Sequence, residues 1–474
     1  MKADKLQDAI GMVDGDLIAR ADMPPDRRRL PRWWRSAVAA MLAVVLLLGS
    51  LWNIPPLQGS YAIAEASYPV MAPYPAKDST HEEYDAWRSS IDERQQYAGA
   101  GKDLDSFFSA TMSTFLADEE QENRVYSPLN VYMALAMLAE VTEGESRAEI
   151  LALLGSESIE ALRTQANAVW NANYRNDGAV TSLLGSSVWL NKDLVYEADT
   201  LNRLADTYYA SSFQGEMGSA GYNKALSAWL NEQTGGLLAE HANSVELSQE
   251  TVMALATTVY YRAKWTVGFQ NTRTAKRTFY TPGGELLCDF MNQTLHDGDY
   301  YWGEHFTATR KRLADGGYQG YMYLILPDEG VDPAALLTDS EALRFMTASG
   351  EWENHSGGKL NLSLPKFDVA ANTDLLAGLR SLGVEACLDP ATSDFSPLLA
   401  DDSMPVWLDK AEHAARVIID EDGIEAAAYT VMHEAGGAPP TPGEEIDFIL
   451  DRPFIFVITG PDGLPLFVGT VYTP

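Results

Sequence analysis

FILDRPFIFVITGPDGLPLFVGTVYTP, residues 448–474, closes the chain with two strand-like runs, Phe454–Ile458 and Leu464–Val471. The stretch just before it is of another kind. GIEAAAYTVMHEAGGAPPTPGEE, residues 423–445, begins with small and apolar residues, then passes into Gly-Gly, Pro-Pro and acids. It holds no helix cap, no catalytic motif and no obvious core face. A domain that ends in strands must have some use for such a segment immediately before them.

Upstream, helix and strand patterns interleave without a repeat. Apolar spacing predicts helices over Leu104–Leu116, Ser127–Leu138, Glu145–Leu154, Glu197–Tyr209 and Asn223–Thr234, the last closed by Gly235-Gly236. Strands are predicted at Ser186–Leu190, Val252–Ala263, Gly320–Leu326, Leu360–Val369 and Val406–Ile419. No glycine-rich phosphate loop follows any strand, which favours an α+β architecture over a nucleotide-binding doubly wound sheet. With 474 residues, 46% of them hydrophobic, a large core is available. The net charge of −33 argues against nucleic acid as a partner.

Catalytic and metal motifs are missing. There is no G-x-S-x-G, no H-E-x-x-H and no S-x-x-K in a suitable context. The histidines (His81, His241, His296, His305, His355, His413 and His433) show no metal-ligand spacing. An enzyme, a metal and a cofactor are therefore not expected. The two cysteines, Cys288 and Cys387, are too few for a zinc, haem or thioredoxin-like motif. They read as two separate buried thiols, with a single disulfide the other option.

The terminal runs FILDRPFIFVI (448–458) and PLFVGTVYTP (465–474) resemble the C-terminal signature of the serpins. Further stretches agree in the same order: SPLNVYMALAMLAEVTEGESRAEI (127–150), LNEQTGGLL (230–238), TTVYYRAKWTVGFQNTRTAKRTFY (257–280), LPKFDV (364–369) and DKAEHAARVIIDEDGIEAAA (409–428). The likeness covers residues 102–474. It implies an α+β serpin fold of three β-sheets and eight or nine helices, with an exposed reactive-centre loop at about 421–447. It also implies suicide inhibition of serine proteases, and sometimes of cysteine proteases. A monomer is expected. A non-inhibitory serpin-fold protein, acting as a binding or structural module on the cell surface, is the alternative.

In that family a protease cleaves the loop as a substrate. The chain upstream of the cut then inserts as a strand into the main sheet before the acyl-enzyme hydrolyses, and the linked protease is distorted. The period-2 reading of the segment fits an inserting strand. Ile424, Ala426, Ala428, Thr430 and Met432 form one face, uniformly small or apolar; Glu425, Ala427, Tyr429, Val431 and His433 form the other. Glu421 matches the glutamate that begins the family's hinge, followed here by Gly423, Ile424, Glu425, Ala426, Ala427 and Ala428. The sequence departs from the pattern at Ile424, where many members carry Thr or Ser, and at Tyr429, where they carry a smaller residue. The family's spacing from Glu421 places the reactive bond at Gly437–Ala438, within a window from Gly436 to Pro439. No Arg or Lys lies there. The implied target is a protease with a small primary pocket, elastase-like or subtilisin-like, and not a trypsin-like one.

The resemblance assigns supporting roles as well. Ser127, Asn130, Thr257 and His413 fall where the family builds a hydrogen-bonded cluster under the central strands, at the point where the sheet parts. Asn130 and Thr257 stand where Ser and Asn are common, as though the amide had changed sides while the bonding capacity stayed. Lys366 and Glu421 fall where the family places an ion pair at the top of the sheet, where the loop enters, with Trp265 packed beside it.

The N-terminal part reads separately. RRRLPRWWR (27–35) precedes an uncharged run, AVAAMLAVVLLLGSLWNI (37–54), close to the ~20 residues that cross a bilayer, and no Lys or Arg follows until Lys77. This predicts a cytoplasmic segment (1–36), a transmembrane signal anchor (37–54), a Pro/Ala/Ser/Tyr-rich extracytoplasmic spacer (55–101) and the domain outside a cell membrane. A signal peptide cleaved near Ala64, releasing the domain, is the competing reading. The start of the chain resembles the cytoplasmic starts of membrane-anchored envelope proteins, so a bacterial, membrane-anchored member is expected.

Overall fold

β-Branched and aromatic runs such as Thr257-Thr258-Val259-Tyr260-Tyr261 favour pleated backbone, and strands of this kind dominate the structure. The computed structural model describes residues 61–474 except 77, 118–119, 238–245, 250, 314–319, 348–351, 401–404, 409 and 425–444. Strands and helices are numbered along the chain. The first sheet runs, in spatial order, β1 (Ala62–Ala64), β5 (Ala210–Gly215), β4 (Thr181–Asn191), β6 (Met253–Lys264), β14 (Gly423–Ile424), β13 (Glu412–Ile419) and β12 (Phe367–Asp374), with β3 (Arg175–Asn176) paired to β4.

The second sheet runs β15 (Ile446–Ile449), β11 (His355–Pro365), β8 (Gly284–Trp302), β9 (Phe306–Leu313), β10 (Gly320–Pro327), β16 (Phe454–Thr459), β17 (Pro465–Val471) and β2 (Arg124–Tyr126), with β7 (Ala275–Thr281) on β8. β16 and β17 are buried at every position, as strands covered on both faces should be. The expected third sheet is the β7–β8–β11–β15 end of this network. It is continuous with the rest because β8 is 19 residues long and pairs β7 at its start and β9 at its finish.

The described helices are α1 (His81–Gln95), α2 (Asp105–Leu116), α3 (Pro128–Val141), α4 (Gly144–Leu153), α5 (Ile159–Asn173), α6 (Ala198–Tyr208), α7 (Ala220–Gln233), α8 (Pro333–Leu336), α9 (Ser340–Thr347) and α10 (Leu376–Ser381). α3 starts where Ser127 caps the Asn130 N–H and Pro128 takes the first helical position. It is apolar nearly all round and lies in the core against β6 and β17. Its one acid, Glu140, is buried and gripped by Arg163 at 2.7 Å, Arg203 at 2.8 Å and the Tyr208 hydroxyl at 3.1 Å, which ties α3 to α5 and α6.

Several expectations change. Leu360–Val369 is two strands that break at Lys366, and Val406–Ile419 is strand only from Glu412. The segment expected as a spacer contributes β1 and α1. Trp87 and Ile91 of α1 are buried, and a capping box between Thr80 and Glu83 starts it. The placement in a cell membrane is corrected as well. A spanning helix needs about 20 consecutive apolar residues, and no helix among the described residues is long and apolar enough to cross a membrane. The run 37–54 lies outside the described residues.

Candidate functional site

The site sits where the first sheet parts. β6 and β13 are joined through β14 alone among the described residues: Gly423 pairs with Lys264, and Ile424 pairs with both Ala263 and Ile419. Gly423 adopts φ +155°, and a Cβ there would meet the Ala263 carbonyl at 2.3 Å, so only glycine fits. Ile424 is 3% exposed, on the core face that its parity assigns.

The residues ahead of it are anchored through their carbonyls. Trp265 Nε1 donates to Asp420 O at 2.9 Å, the Trp265 N–H to Asp422 O at 3.0 Å and the Phe269 N–H to Glu421 O at 2.9 Å. Asp420 Oδ1 accepts from the N–H groups of Asp422 and Gly423, which closes the turn into β14. Lys366 and Glu421 meet at 2.8 Å, and the Thr274 hydroxyl donates to the other Glu421 oxygen at 2.8 Å. Burial pushes the Glu421 carboxyl up, but the Lys366 ammonium and the Thr274 hydroxyl outweigh it and hold it below the usual range. The same bond raises Lys366.

Below Ile424 lies a cavity of about 40 Å³, lined by Leu255 and Thr257 on β6, His413 on β13, and Val131 and Leu135 on α3. Beside it Ser127, Asn130, Thr257 and His413 come together. The Ser127 N–H donates to His413 Nε2 at 3.0 Å, Ser127 Oγ accepts from the Asn130 N–H, and Asn130 Nδ2 donates to the Thr257 carbonyl at 3.2 Å. Thr257 therefore joins through its main-chain carbonyl as an acceptor, and the amide donor comes from Asn130. Tyr126 packs edge-on to the His413 ring.

Glu425, Ala426, Ala427, Ala428 and the bond window Gly436, Gly437, Ala438 and Pro439 lie outside the described residues. Cys288 and Cys387 are unpaired. Sequence reasoning missed Phe269 and Thr274, which carry no local signal, and Asp420, whose spacing to Asp422 and Gly423 is that of an Asx turn.

Comparison with known proteins adds the following. A family profile described as Serpin (serine protease inhibitor) matches residues 104–474. Serpin-Z2B of Oryza sativa subsp. japonica is 27% identical over 387 residues, covering 75% of this chain and 93% of its own. An uncharacterised serpin-like protein of Thermococcus kodakarensis is 26% identical over 364 residues, with 74% and 81% covered. Among solved structures, the thermophilic serpin tengpin in its native state superposes with a TM-score of 0.69 at 23% identity, over 87% of this chain and 100% of that one. Human thyroxine-binding globulin complexed with thyroxine superposes with a TM-score of 0.67 at 20% identity, over 79% and 100%. These two structural likenesses concern the fold alone.

Proposed function

The chain belongs to the serpin family of serine protease inhibitors, and we propose that it inhibits by the suicide route, trapping an acyl-enzyme by inserting its cleaved loop between β6 and β13. The observation that carries this reading is the seating of Gly423–Ile424 between two strands that have no direct ladder to each other among the described residues. A strand already begun needs only to be continued.

The register says how. Extending the β14 pairing downward sets Thr430 between Thr257 and His413, and Met432 between Leu255 and Ala411, beside the cavity. The face of Ile424 then carries Ala426, Ala428, Thr430 and Met432 inward, and Thr430 brings a hydroxyl to the Asn130–His413 cluster. Tyr429 falls on the outer face.

The chemistry belongs to the target. Its serine oxygen attacks the Gly437 carbonyl, the Gly437–Ala438 bond breaks, the Ala438 amine leaves with a proton, and an ester joins the protease to Gly437. Water would hydrolyse that ester in time. Insertion of the released chain must be faster. With Gly-Gly-Ala at the bond, a protease with a small primary pocket is the target class.

Incubating the full chain with elastase, subtilisin, chymotrypsin and trypsin tests this. An SDS-stable complex with elastase or subtilisin, but not with trypsin, is expected. Cleavage of the loop by every protease with no complex would point to a non-inhibitory member.

A further inference from the structure

Lys311 lies in a basic run, Arg310-Lys311-Arg312, on β9. Alternation sends its neighbours to the other face, where Arg310 stacks 4.4 Å over Tyr321 and pairs with Asp299 at 2.6 Å. Lys311 itself points inward and is 4% exposed. Its Nζ donates to Val267 O at 2.7 Å and to Gln293 Oε1. It lies 5.2 Å from the Trp265 ring centre and 4.5 Å from that of Phe269.

Those two rings belong to the residues whose N–H groups hold the Asp420, Glu421 and Asp422 carbonyls. The end of β9 touches the same turn through its main chain: Leu313 bridges Trp265, and Arg312 O accepts from the Thr266 N–H at 3.1 Å. One buried amine thus stands behind the whole seat of the hinge.

We propose that Lys311 is a positioning residue for the hinge, a buried amine whose charge decides how firmly Trp265 and Phe269 hold the Asp420–Asp422 carbonyls. The hold on the seat stands by itself; only its bearing on inhibition rests on the loop insertion proposed above.

Among the described residues, the groups facing the amine are neutral or already engaged. Gln293 comes from β8, and Met322, opposite on β10, is uncharged. The hinge presents carbonyls, and its Glu421 carboxylate is held by Lys366 and Thr274. Arg310, Arg312 and Asp299 occupy the far face. The rings and the two acceptors favour the charged amine, but burial wins and pulls it down to about 7.

When the seat opens, water reaches the amine and restores the ordinary lysine value of about 10.4. Opening therefore takes up a proton between those two values. Below pH 7 both forms carry the proton, and opening is easiest. As pH rises above 7 the closed seat loses its proton while the opened one keeps it, so opening becomes harder by up to about tenfold per pH unit.

The test is hydrogen exchange of the 265–269 amides from pH 6 to 9.5, corrected for the intrinsic exchange rate. In the same samples, the gain in thermal stability after protease cleavage of the loop is followed. Protection in the unaltered chain should be flat below pH 7 and rise above it by up to tenfold per unit, and Lys311→Met should abolish that rise. A rise that persists unchanged in Lys311→Met overturns the proposal. Gln293→Leu decides the matter should Lys311→Met fail to fold: losing an acceptor for the ammonium should move the onset to lower pH, and an unmoved onset overturns the proposal. A titrating seat with no stabilisation on cleavage would uphold Lys311 and sink loop insertion instead.

Discussion

The first sheet is closed at one edge and parted in its middle, and opposite kinds of contact hold the two places. At the edge, β1 pairs with β5, and Tyr68 packs among the rings of Trp170, Tyr174 and Tyr209. Trp87, 2% exposed, donates to Asp177 at 3.0 Å, and Asp177 is itself paired with the buried Arg175 at 2.8 Å. In the middle, two residues of β14 are held by carbonyl bonds, one half-exposed ion pair and one buried amine. Apolar burial and a buried charge network cannot be exchanged piecemeal. Main-chain bonds can be traded one at a time for those of an incoming strand. On the proposed insertion, the edge stays and the middle moves.

The comparison can be broken from either end. Trp87→Ala should cost about 3–5 kcal/mol in urea unfolding, since it removes a large buried ring and leaves Asp177 short of a donor. A loss under ~1 kcal/mol would mean that residues 61–95 do not fasten the edge. Gly423→Ala strikes the middle. Strain and the clash with Ala263 O should unseat the hinge by about 1–3 kcal/mol and cut the yield of SDS-stable complex about tenfold or more, with loop cleavage continuing. Undiminished complex formation would show that the seat is dispensable.

Smaller changes sharpen the picture. Asn130→Ala removes the bond to the Thr257 carbonyl and should cost about 1–2 kcal/mol, with faster spontaneous loop insertion on warming. Unchanged stability and unchanged insertion would remove the cluster from the account. Lys366→Met should cost only about 0.5–1 kcal/mol, because the lysine is 40% exposed against 14% for the Glu421 side chain. Glu421 is held low, so its contribution is present above the ordinary carboxylate range and is lost as pH falls through the lowered value. Lys366 is held high, so its share is lost only as pH rises through the raised value. Stability measured across pH 6–8 should therefore show no step from this pair, in contrast to the Lys311 seat.

Much of this was legible along the chain. Period-2 alternation puts Ile424 on the core side, and the structure buries it. The runs that end the chain read as strands because apolar and β-branched residues dominate them, Phe454–Ile458 without a break and Leu464–Val471 with only Pro465, Gly469 and Thr470 between. α1 was hidden. Its flanks are rich in Pro, Ala and Tyr, and only the Thr80–Glu83 box and the four-residue step from Trp87 to Ile91 betray it. The break at Lys366 does carry a local mark: the apolar positions are Leu360, Leu362 and Leu364, then Phe367 and Val369, so the alternation changes parity across Pro365-Lys366.

The sequence by itself determined the family and the strand parity that puts Ile424 on the core side, because periodicity is a local property that adjacent residues express, whereas the need for glycine at 423 comes from the approach of the Ala263 carbonyl, far away in the chain. Tertiary structure alone decided that Arg310 and Arg312 face outward over aromatic rings while Lys311 is sealed beneath Trp265 and Phe269. Desolvation is a sum over segments far apart in the chain, and here β8, β9, the 265–269 turn and the hinge each supply part of the wall.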